Sequence, residues 1–285
     1  MKHFFWIFLI ILFFNQLVYS QLNFSKTYLD RKMFKEISGL EKFESKFIAH
    51  NDSGNKPILY KINSQGDIIK IIPLNKLNNI DWEDLSADKF FIYIADIGNN
   101  FGTRKDLKIY KINKKTFEVD SIGISYRSQF KFKSNYINEY DAEAIAVFEE
   151  NIILFSKNRL KQITEIYKIP TNTKSISLLP IGSIDVNGLI TGADYNDELN
   201  VMVLSGYSMS NIKQYLYILR DFKIPYDSKL MEVIKLPKEY DNTQIESVKI
   251  LSSNEVLVAS EAESKGDPFI LKITFDKKNY LSNHN

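Results

Sequence analysis

Apolar and polar residues alternate in short runs along almost the whole chain, and most runs end in Asn, Asp, Gly, Ser or Lys. Typical runs are "LKIYKIN" (Leu107 to Asn113) and "YLYILRD" (Tyr215 to Asp221). Alternation with a period of two is typical of β-strands, whereas the spacing of an amphipathic helix is hard to find here. The pattern therefore predicts an all-β protein.

The same order of segments returns five times, each time as a motif, a strand, a polar turn and further strands. The copies are "ISGLEKFESKFIAHNDSG" with "PILYKIN", "WEDLSADKFFIYIADIGNN" with "LKIYKIN", "AEAIAVFEENIILFSKN" with "TEIYKIP", "ITGADYNDELNVMVLSGY" with "YLYILRD", and "IESVKILSSNEVLVASEAE" with "FILKITF". A fourth strand candidate follows four of them, at Asp67 to Leu74, Gly123 to Phe132, Ser175 to Ile184 and Met231 to Leu236. Repeated four-stranded units of this length predict the blades of a β-propeller around a central channel.

The last copy lacks a fourth strand, and the segment Leu22 to Asp30 has no other partner. We expect that segment to complete the last blade and close a five-bladed ring. Six blades stay possible if it, Gly123 to Tyr140 or Lys223 to Asp241 contains a degenerate unit. Residues 21–276 are then a single propeller domain, followed by a polar tail at residues 277–285.

One aligned position of the repeat is polar in every copy. It holds Ser38, Glu83, Glu143, Thr191 and Glu246, at spacings of 45, 60, 48 and 55 residues. On the innermost strands these side chains would converge on the propeller axis. Three carboxylates there must have raised pKa values or bind a cation, and an oxygen-only set suits Ca²⁺. The alternative is a set of polar residues facing a wet channel without an ion.

The neighbours of this column are acidic as well. Asp81 and Asp141 lie two residues before Glu83 and Glu143, on the same strand face, where they are candidates for groups around the metal ligands. Asp84 is expected to point elsewhere and to belong to the packing between blades.

A second polar set follows the second strand of each copy, so its members share one rim of the channel. We identify His50, Asn99, Arg104, Lys157, Arg159 and Tyr207 as candidate ligand-binding residues, with the three cations facing a small anionic group such as phosphate. Asp52, Asp96 and Glu261 are candidate general bases acting on metal-bound water. The alternative is that such residues are there because tight turns favour them.

Other catalytic schemes find little support in the sequence. There is no Cys, and only His3, His50 and His284 are available as histidines. No G-x-S-x-G, G-x-G-x-x-G or P-loop motif occurs. Thiolate chemistry and Cys-based metal sites are excluded, and a Ser-His-Asp hydrolase is disfavoured.

The first twenty residues have the pattern of a secretory signal peptide: a basic start, the apolar run Phe4 to Phe14 and a polar exit. We expect cleavage before Gln21 and a location in the periplasm or outside the cell; an uncleaved anchor is the alternative. Removing Lys2 leaves 36 basic and 35 acidic residues, which predicts no nucleic-acid binding. We also expect a monomer that does not bind membranes once the leader is removed.

The column order Ser, Glu, Glu, Thr, Glu resembles the ring Ser, Glu, Glu, Ser, Glu of the calcium-activated nucleotidases (apyrases). That resemblance implies a five-bladed propeller with a central Ca²⁺ and nucleotide hydrolysis. "HNDSG" (His50 to Gly54) stands where that family has an aspartate-rich turn with a basic residue, and it contains no arginine. "DWEDLS", "DAEAIA" and "ASEAE" also resemble the SdiA-regulated and phytase-esterase-like propellers exported by Gram-negative bacteria.

Two functions therefore stay open. One is a calcium-binding propeller that binds a small anionic molecule, a glycan or an envelope protein on one face. The other is a calcium-dependent phosphohydrolase with a pocket above the axial metal. The fold alone does not choose between them.

Overall fold

Short β-strands make up nearly all of the regular structure in the computed structural model, which describes residues 22–262 and 266–282. The predicted leader lies outside the described residues. The strands form five antiparallel sheets of four strands, one of which has an additional strand at its edge. The protein is a five-bladed β-propeller, as the repeat predicts.

Blades 1 and 2 come from consecutive stretches of chain, with the innermost strand first. Blade 1 contains β2 (Ile37–Phe43), β3 (Lys46–Asn51), β4 (Ile58–Ile62) and β5 (Ile68–Pro73). Blade 2 contains β6 (Trp82–Ala87), β7 (Phe91–Asp96), β8 (Lys108–Asn113) and β9 (Val119–Tyr126).

Blades 3, 4 and 5 repeat the plan. Blade 3 has β10 (Ala142–Phe148), β11 (Asn151–Ser156), β12 (Thr164–Pro170) and β14 (Gly182–Ile184), and blade 4 has β15 (Leu189–Asn196), β16 (Val201–Tyr207), β17 (Gln214–Arg220) and β18 (Met231–Lys235). Blade 5 has β19 (Ile245–Ser252), β20 (Glu255–Ser260), β21 (Phe269–Phe275) and β1 (Leu22–Tyr28). Helices are short: α1 (Arg31–Phe34) and two 3-10 turns, Ser228–Leu230 and Lys238–Tyr240.

The ring closes through both ends of the described chain. Strand β1 pairs antiparallel with β21, from Leu22 opposite Phe275 to Tyr28 opposite Phe269. Blade 5 is therefore assembled from both ends, and the prediction for Leu22 to Asp30 is confirmed. The stretches considered for a sixth unit instead hold β9 and β18 with their loops, so among the described residues there are five sheets.

The fourth strand of blade 3 differs from the prediction. The run Ser175 to Ile184 splits into two strands, and the first, β13 (Ser175–Leu178), pairs in parallel with β9 of blade 2. Only β14 pairs with β12 of its own blade. Pro180 lies between the two strands and has no N–H to donate, which explains why one strand cannot run through.

The core lies between the blades. Five clusters of buried apolar side chains fill the five interfaces between neighbouring blades, and Trp82, Tyr93, Phe155, Tyr217 and Phe275 are among their largest members. Inner strands such as β6 and β10 are buried on both faces because blades cover them from both sides. Accordingly, β10 reads as a nearly continuous run of apolar or small residues around Glu143, whereas β6 carries the buried carboxylates Glu83 and Asp84.

The segment after β21 also packs onto the propeller. Tyr280 stacks on Phe275 with 4.3 Å between ring centroids, and Leu281 is fully buried. Arg220 of blade 4 donates to the Tyr280 carbonyl at 2.9 Å. Residues 277–282, part of the predicted polar tail, thus join blades 4 and 5. Within the described part of the chain, no helix has the length and apolar character to cross a membrane.

Candidate cation-binding mouth of the channel

The aligned column lies on the five inner strands, β2, β6, β10, β15 and β19, which neighbour one another in a ring around the axis. In every blade the strand pairing shifts register at this position, which places Ser38, Glu83, Glu143, Thr191 and Glu246 in β-bulges. A bulge re-aims the side chain that it carries. All five residues are buried, with no more than 9% exposed.

The two hydroxyl residues of the column connect neighbouring blades. Ser38 Oγ donates to the backbone carbonyl of Glu83, and Thr191 Oγ1 donates to the carbonyl of Ile245 at 2.6 Å. Their protons are therefore used to join inner strands, while oxygen lone pairs stay available.

Glu143 has cations beside it that the alignment could not reveal. Lys157, directly after β11, forms an ion pair with its carboxylate, and Arg159 Nη2 lies 3.7 Å from Oε1. Burial lowers the pKa of Lys157, but the Glu143 and Glu246 carboxylates outweigh it and hold that pKa well above its usual value. Part of the acidic ring is thus neutralised by the protein itself.

Glu83, in contrast, meets only other carboxylates. One oxygen each of Asp52, Asp81 and Glu83 lies within 4.8 Å of the others. Asp52 directly follows β3, whereas Asp81 directly precedes β6. Glu83 is 4% exposed, and within residues 22–262 and 266–282 its carboxylate has no hydrogen bond or ion pair. We call these three residues the acidic triad.

The electrostatics of the acidic triad oppose its ionisation. Burial and the neighbouring carboxylates raise the pKa of Asp52 to about 8. Burial raises the pKa of Asp81 to about 6 although Arg104 acts in the opposite direction, and burial with Asp52 and Glu143 raises that of Glu83 well above its usual value. A bound cation would remove this penalty because it favours the charged forms.

Gly98 leaves the space in which the acidic triad lies. A Cβ at position 98 would overlap Glu83 Oε1 and Asp81 Oδ2. Gly98 lies two residues after the end of β7 at the rim, and only the absence of a side chain lets both carboxylates approach its backbone.

The opposite wall of the mouth carries Glu246, Glu261 and Tyr207. Burial raises the pKa of Glu246 well above its usual value, with Glu143, Glu261 and Asp52 adding to the effect. Glu261 accepts a hydrogen bond from the Gln244 amide. Burial raises the pKa of Tyr207 to about 12, and its ring lies 5.2 Å from Lys157 Nζ.

The rim arginines, like Lys157, are paired with carboxylates. Arg104 Nη2 donates to Asp96 Oδ1 at 2.8 Å, and Asp96, fully buried, also accepts from the Asp81 N–H at 3.1 Å. Arg159 forms an ion pair with Asp141. Asp96 is thus a buried group that connects Arg104 with the backbone of Asp81.

Two further candidates hold the rim together. Asn99 N–H donates to Asp141 Oδ1 at 2.7 Å, and its side-chain oxygen accepts from the Arg104 N–H at 2.9 Å. His50 is completely buried, with Nδ1 3.1 Å from the Asn51 carbonyl and its ring edge-on to Trp82. Burial lowers the pKa of His50 to about 4, so it is a neutral part of the interface between blades 1 and 2.

Next to the column, buried charged groups that sequence reasoning placed elsewhere or missed connect the inner strands. Asp84, expected in the packing between blades, joins three inner strands: its Oδ2 accepts from the backbone N–H of Ile145 in blade 3 at 3.0 Å and from that of Ala193 in blade 4 at 3.4 Å. One layer further, buried Lys249 donates to Glu41 Oε2 at 2.8 Å and to Asp194 Oδ1 at 3.1 Å. We call these residues the axial plug. Asp84 and Lys249 are both fully buried.

No protein-family model matches the chain, and no curated protein matches its sequence. Solved structures match its fold. A GH43 endo-arabinanase from Bacillus licheniformis is similar with a TM-score of 0.51 and 13% identity, over 87% of this chain and 96% of that one. Regucalcin from Agrobacterium tumefaciens, described as a calcium-binding protein, gives 0.47 and 11%, over 90% and 96%.

Hydrazine synthase from Kuenenia stuttgartiensis gives a TM-score of 0.46 at 10% identity; 86% of this chain matches, but only 64% of that one is covered. Likenesses at such low identity show the propeller fold alone. The chemistry of the mouth has to be argued from its own residues.

Proposed function

We propose that this propeller is a cation-dependent ligand-binding protein in which Asp52, Asp81 and Glu83 hold one Ca²⁺ at the channel mouth. The observation that carries the proposal is the buried, unpartnered Glu83 carboxylate against two further carboxylates. Their oxygen-only chemistry fits Ca²⁺, which takes six to eight oxygen ligands, and His and Cys are absent from the set.

The open side of this cation would face the ligand. Asp52 and Asp81 are half-buried whereas Glu83 is buried, so solvent reaches the acidic triad through Asp52 and Asp81. Because the axial plug contains the fully buried Asp84 and Lys249, we favour binding at the mouth over transport through the channel. Three carboxylates leave coordination positions for waters or for oxygen atoms of a ligand.

The charge balance of the mouth disfavours the phosphohydrolase. Arg104, Lys157 and Arg159 each lie in an ion pair with a carboxylate. A phosphoryl group would have to displace one of those carboxylates and approach the others. Carboxylates outnumber cations around this pocket: Asp52, Asp81, Glu83, Asp96, Asp141, Glu143, Glu246 and Glu261.

We also propose export, on the basis of the leader-like pattern of residues 1–20. Amino-terminal sequencing of the protein recovered from the periplasm and the medium tests this. A mature chain that starts at Gln21 supports export with cleavage, whereas an intact leader on cytosolic protein contradicts it.

Calorimetric titration of the chelator-treated protein with Ca²⁺ tests the cation site. We expect saturable binding of one Ca²⁺, at least tenfold weaker in Glu83→Gln because the buried ligand loses its charge. Asp197→Asn changes an exposed carboxylate in a turn of blade 4 and is the matched control. No binding by the unmodified protein, or equal loss in the control, would sink the proposal; phosphate release from nucleotides would favour the hydrolase instead.

A further inference from the structure

Two exposed aromatic rings border the mouth. Phe101 lies in the loop between β7 and β8, and Tyr136 lies in the loop between β9 and β10. Phe101 is 54% exposed and Tyr136 49%, with 6.1 Å between ring centroids. Both loops lie at the end of the propeller where second strands end and inner strands begin, the same end as the acidic triad.

The loops that carry these rings are tied to each other. Asn135 N–H donates to the Phe101 carbonyl at 2.9 Å, and the Asn138 amide donates to the Asn100 carbonyl at 3.0 Å. Gln129 adds a hydrogen bond to the Gly102 carbonyl at 2.8 Å. The aromatic pair is therefore held in place although it faces solvent, and ordered long loops of this kind are commonly functional.

Arg159 joins the aromatic pair to the mouth. Its guanidinium carbon lies 4.7 Å from the centre of the Tyr136 ring, while its nitrogens reach Asp141 and, at 3.7 Å, Glu143. One side chain thus spans from the exposed rings to the carboxylates of the column. The two features belong to one surface.

The charges of this surface restrict its ligand. An anion would meet the carboxylates of the acidic triad, and an organic cation above Tyr136 would lie beside the positive Arg159. A neutral, hydroxyl-rich ring avoids both penalties. Its C–H face can cover an aromatic ring while its hydroxyl groups donate to carboxylates or coordinate a cation.

We propose that the mouth binds a neutral saccharide chain, with Phe101 and Tyr136 as the stacking platform and sugar hydroxyls facing the acidic triad. This inference rests on the proposed function, because the sugar hydroxyls take the outward positions of the cation. It identifies the ligand class as uncharged carbohydrate.

Saturation-transfer NMR and calorimetry with hexasaccharides of different charge test the inference. The probes are cellohexaose, maltohexaose, xylohexaose and mannohexaose as neutral chains, hexagalacturonate as the anionic chain and a chitosan hexamer as the cationic chain. We expect binding of at least one neutral chain and about tenfold weaker binding in Phe101→Ala or Tyr136→Ala. Phe101→Trp should retain binding. Phe90→Ala, at a similarly exposed ring (58%) on the opposite end of blade 2, should bind normally.

The results also distinguish a failure of the saccharide inference from a failure of the proposed function. Normal Ca²⁺ binding without a response to any neutral hexasaccharide overturns the saccharide inference alone. Saccharide binding that persists in chelator and in Glu83→Gln keeps the stacking platform but overturns the proposed role of the cation. Preference for hexagalacturonate or for the chitosan hexamer overturns the argument from charge.

Discussion

Replacing Asp52 by Asn should stabilise the cation-free protein and reduce the stabilisation that Ca²⁺ provides. Asp52 has a pKa near 3.8 in an unfolded chain and about 8 in the folded protein. Below pH 3.8 the carboxyl group is neutral in both states and has no effect. Between these values only the unfolded chain ionises, so stability falls as pH rises, and above pH 8 the loss is constant.

At pH 7 the unfolded chain has lost the Asp52 proton, about three pH units above its pKa, whereas the folded protein still holds that proton. Keeping this carboxyl group protonated lowers the free energy of unfolding of the unmodified protein by about 4 kcal/mol in chelator, and Asp52→Asn removes that loss. An amide buried in place of a neutral acid offsets part of it, so a gain of about 2 to 4 kcal/mol is expected. In a domain of this size that is a rise of at least about 4 °C in melting temperature.

Calcium should reduce the difference in stability between the variant and the unmodified protein. At a Ca²⁺ concentration of a hundred times Kd, the unmodified protein gains about 2.7 kcal/mol, whereas Asp52→Asn has lost a charged ligand and gains less. Differential scanning calorimetry at pH 4 and pH 7, with Ca²⁺ and with chelator, measures all four states. Asp197→Asn is the control. An Asp52→Asn variant that melts like the unmodified protein at both pH values in chelator would refute the electrostatic reasoning.

Three other predictions test the site and the fold. Gly98→Ala should weaken Ca²⁺ binding at least tenfold in calorimetry with the fold retained, because its Cβ displaces two carboxylates of the acidic triad. Lys249→Met should lower the free energy of unfolding by about 3 to 5 kcal/mol in urea titration, since Glu41 and Asp194 lose their buried cation. Deleting residues 22–28 should abolish the cooperative melting transition, and a synthetic peptide of that sequence should restore it; unchanged melting would contradict this role of β1.

The fold could be predicted because the repeat makes each blade evidence for the others. Alternation of apolar and polar residues indicated the strands, and the alignment of Glu83 with Glu143 and Glu246 located the inner strands. The same aligned position is a β-bulge in the structure, which the alignment did not predict. The strand Ser175–Leu178 could not be placed, because the sequence does not say which blade edge is vacant. A parallel addition such as β13 depends on the distance between blades, which the alternation of residues does not record.

The candidate site was predictable only in part. The column identified Glu83 and the rim identified Asp52, but nothing in the sequence says that Asp52 of blade 1 reaches Glu83 of blade 2. The sequence also does not indicate that Gly98 leaves space for the carboxylates of Asp81 and Glu83. The cations were missed as partners of the column because Lys157 approaches Glu143 from a different strand, at a distance that aligned repeats do not encode.

Blade 5 is built from both ends of the described chain, and this affects how the protein folds during synthesis. Strand β1 leaves the ribosome among the first described residues, and its partner β21 among the last. The first strand must therefore wait, with an unpaired edge, while four blades are synthesised, and such an edge can pair with other chains. Contacts so distant in sequence form slowly. The pairing of β1 with β21 that closes the finished ring thus exposes the nascent chain to aggregation. Binding of β1 by a chaperone until β21 emerges would protect it.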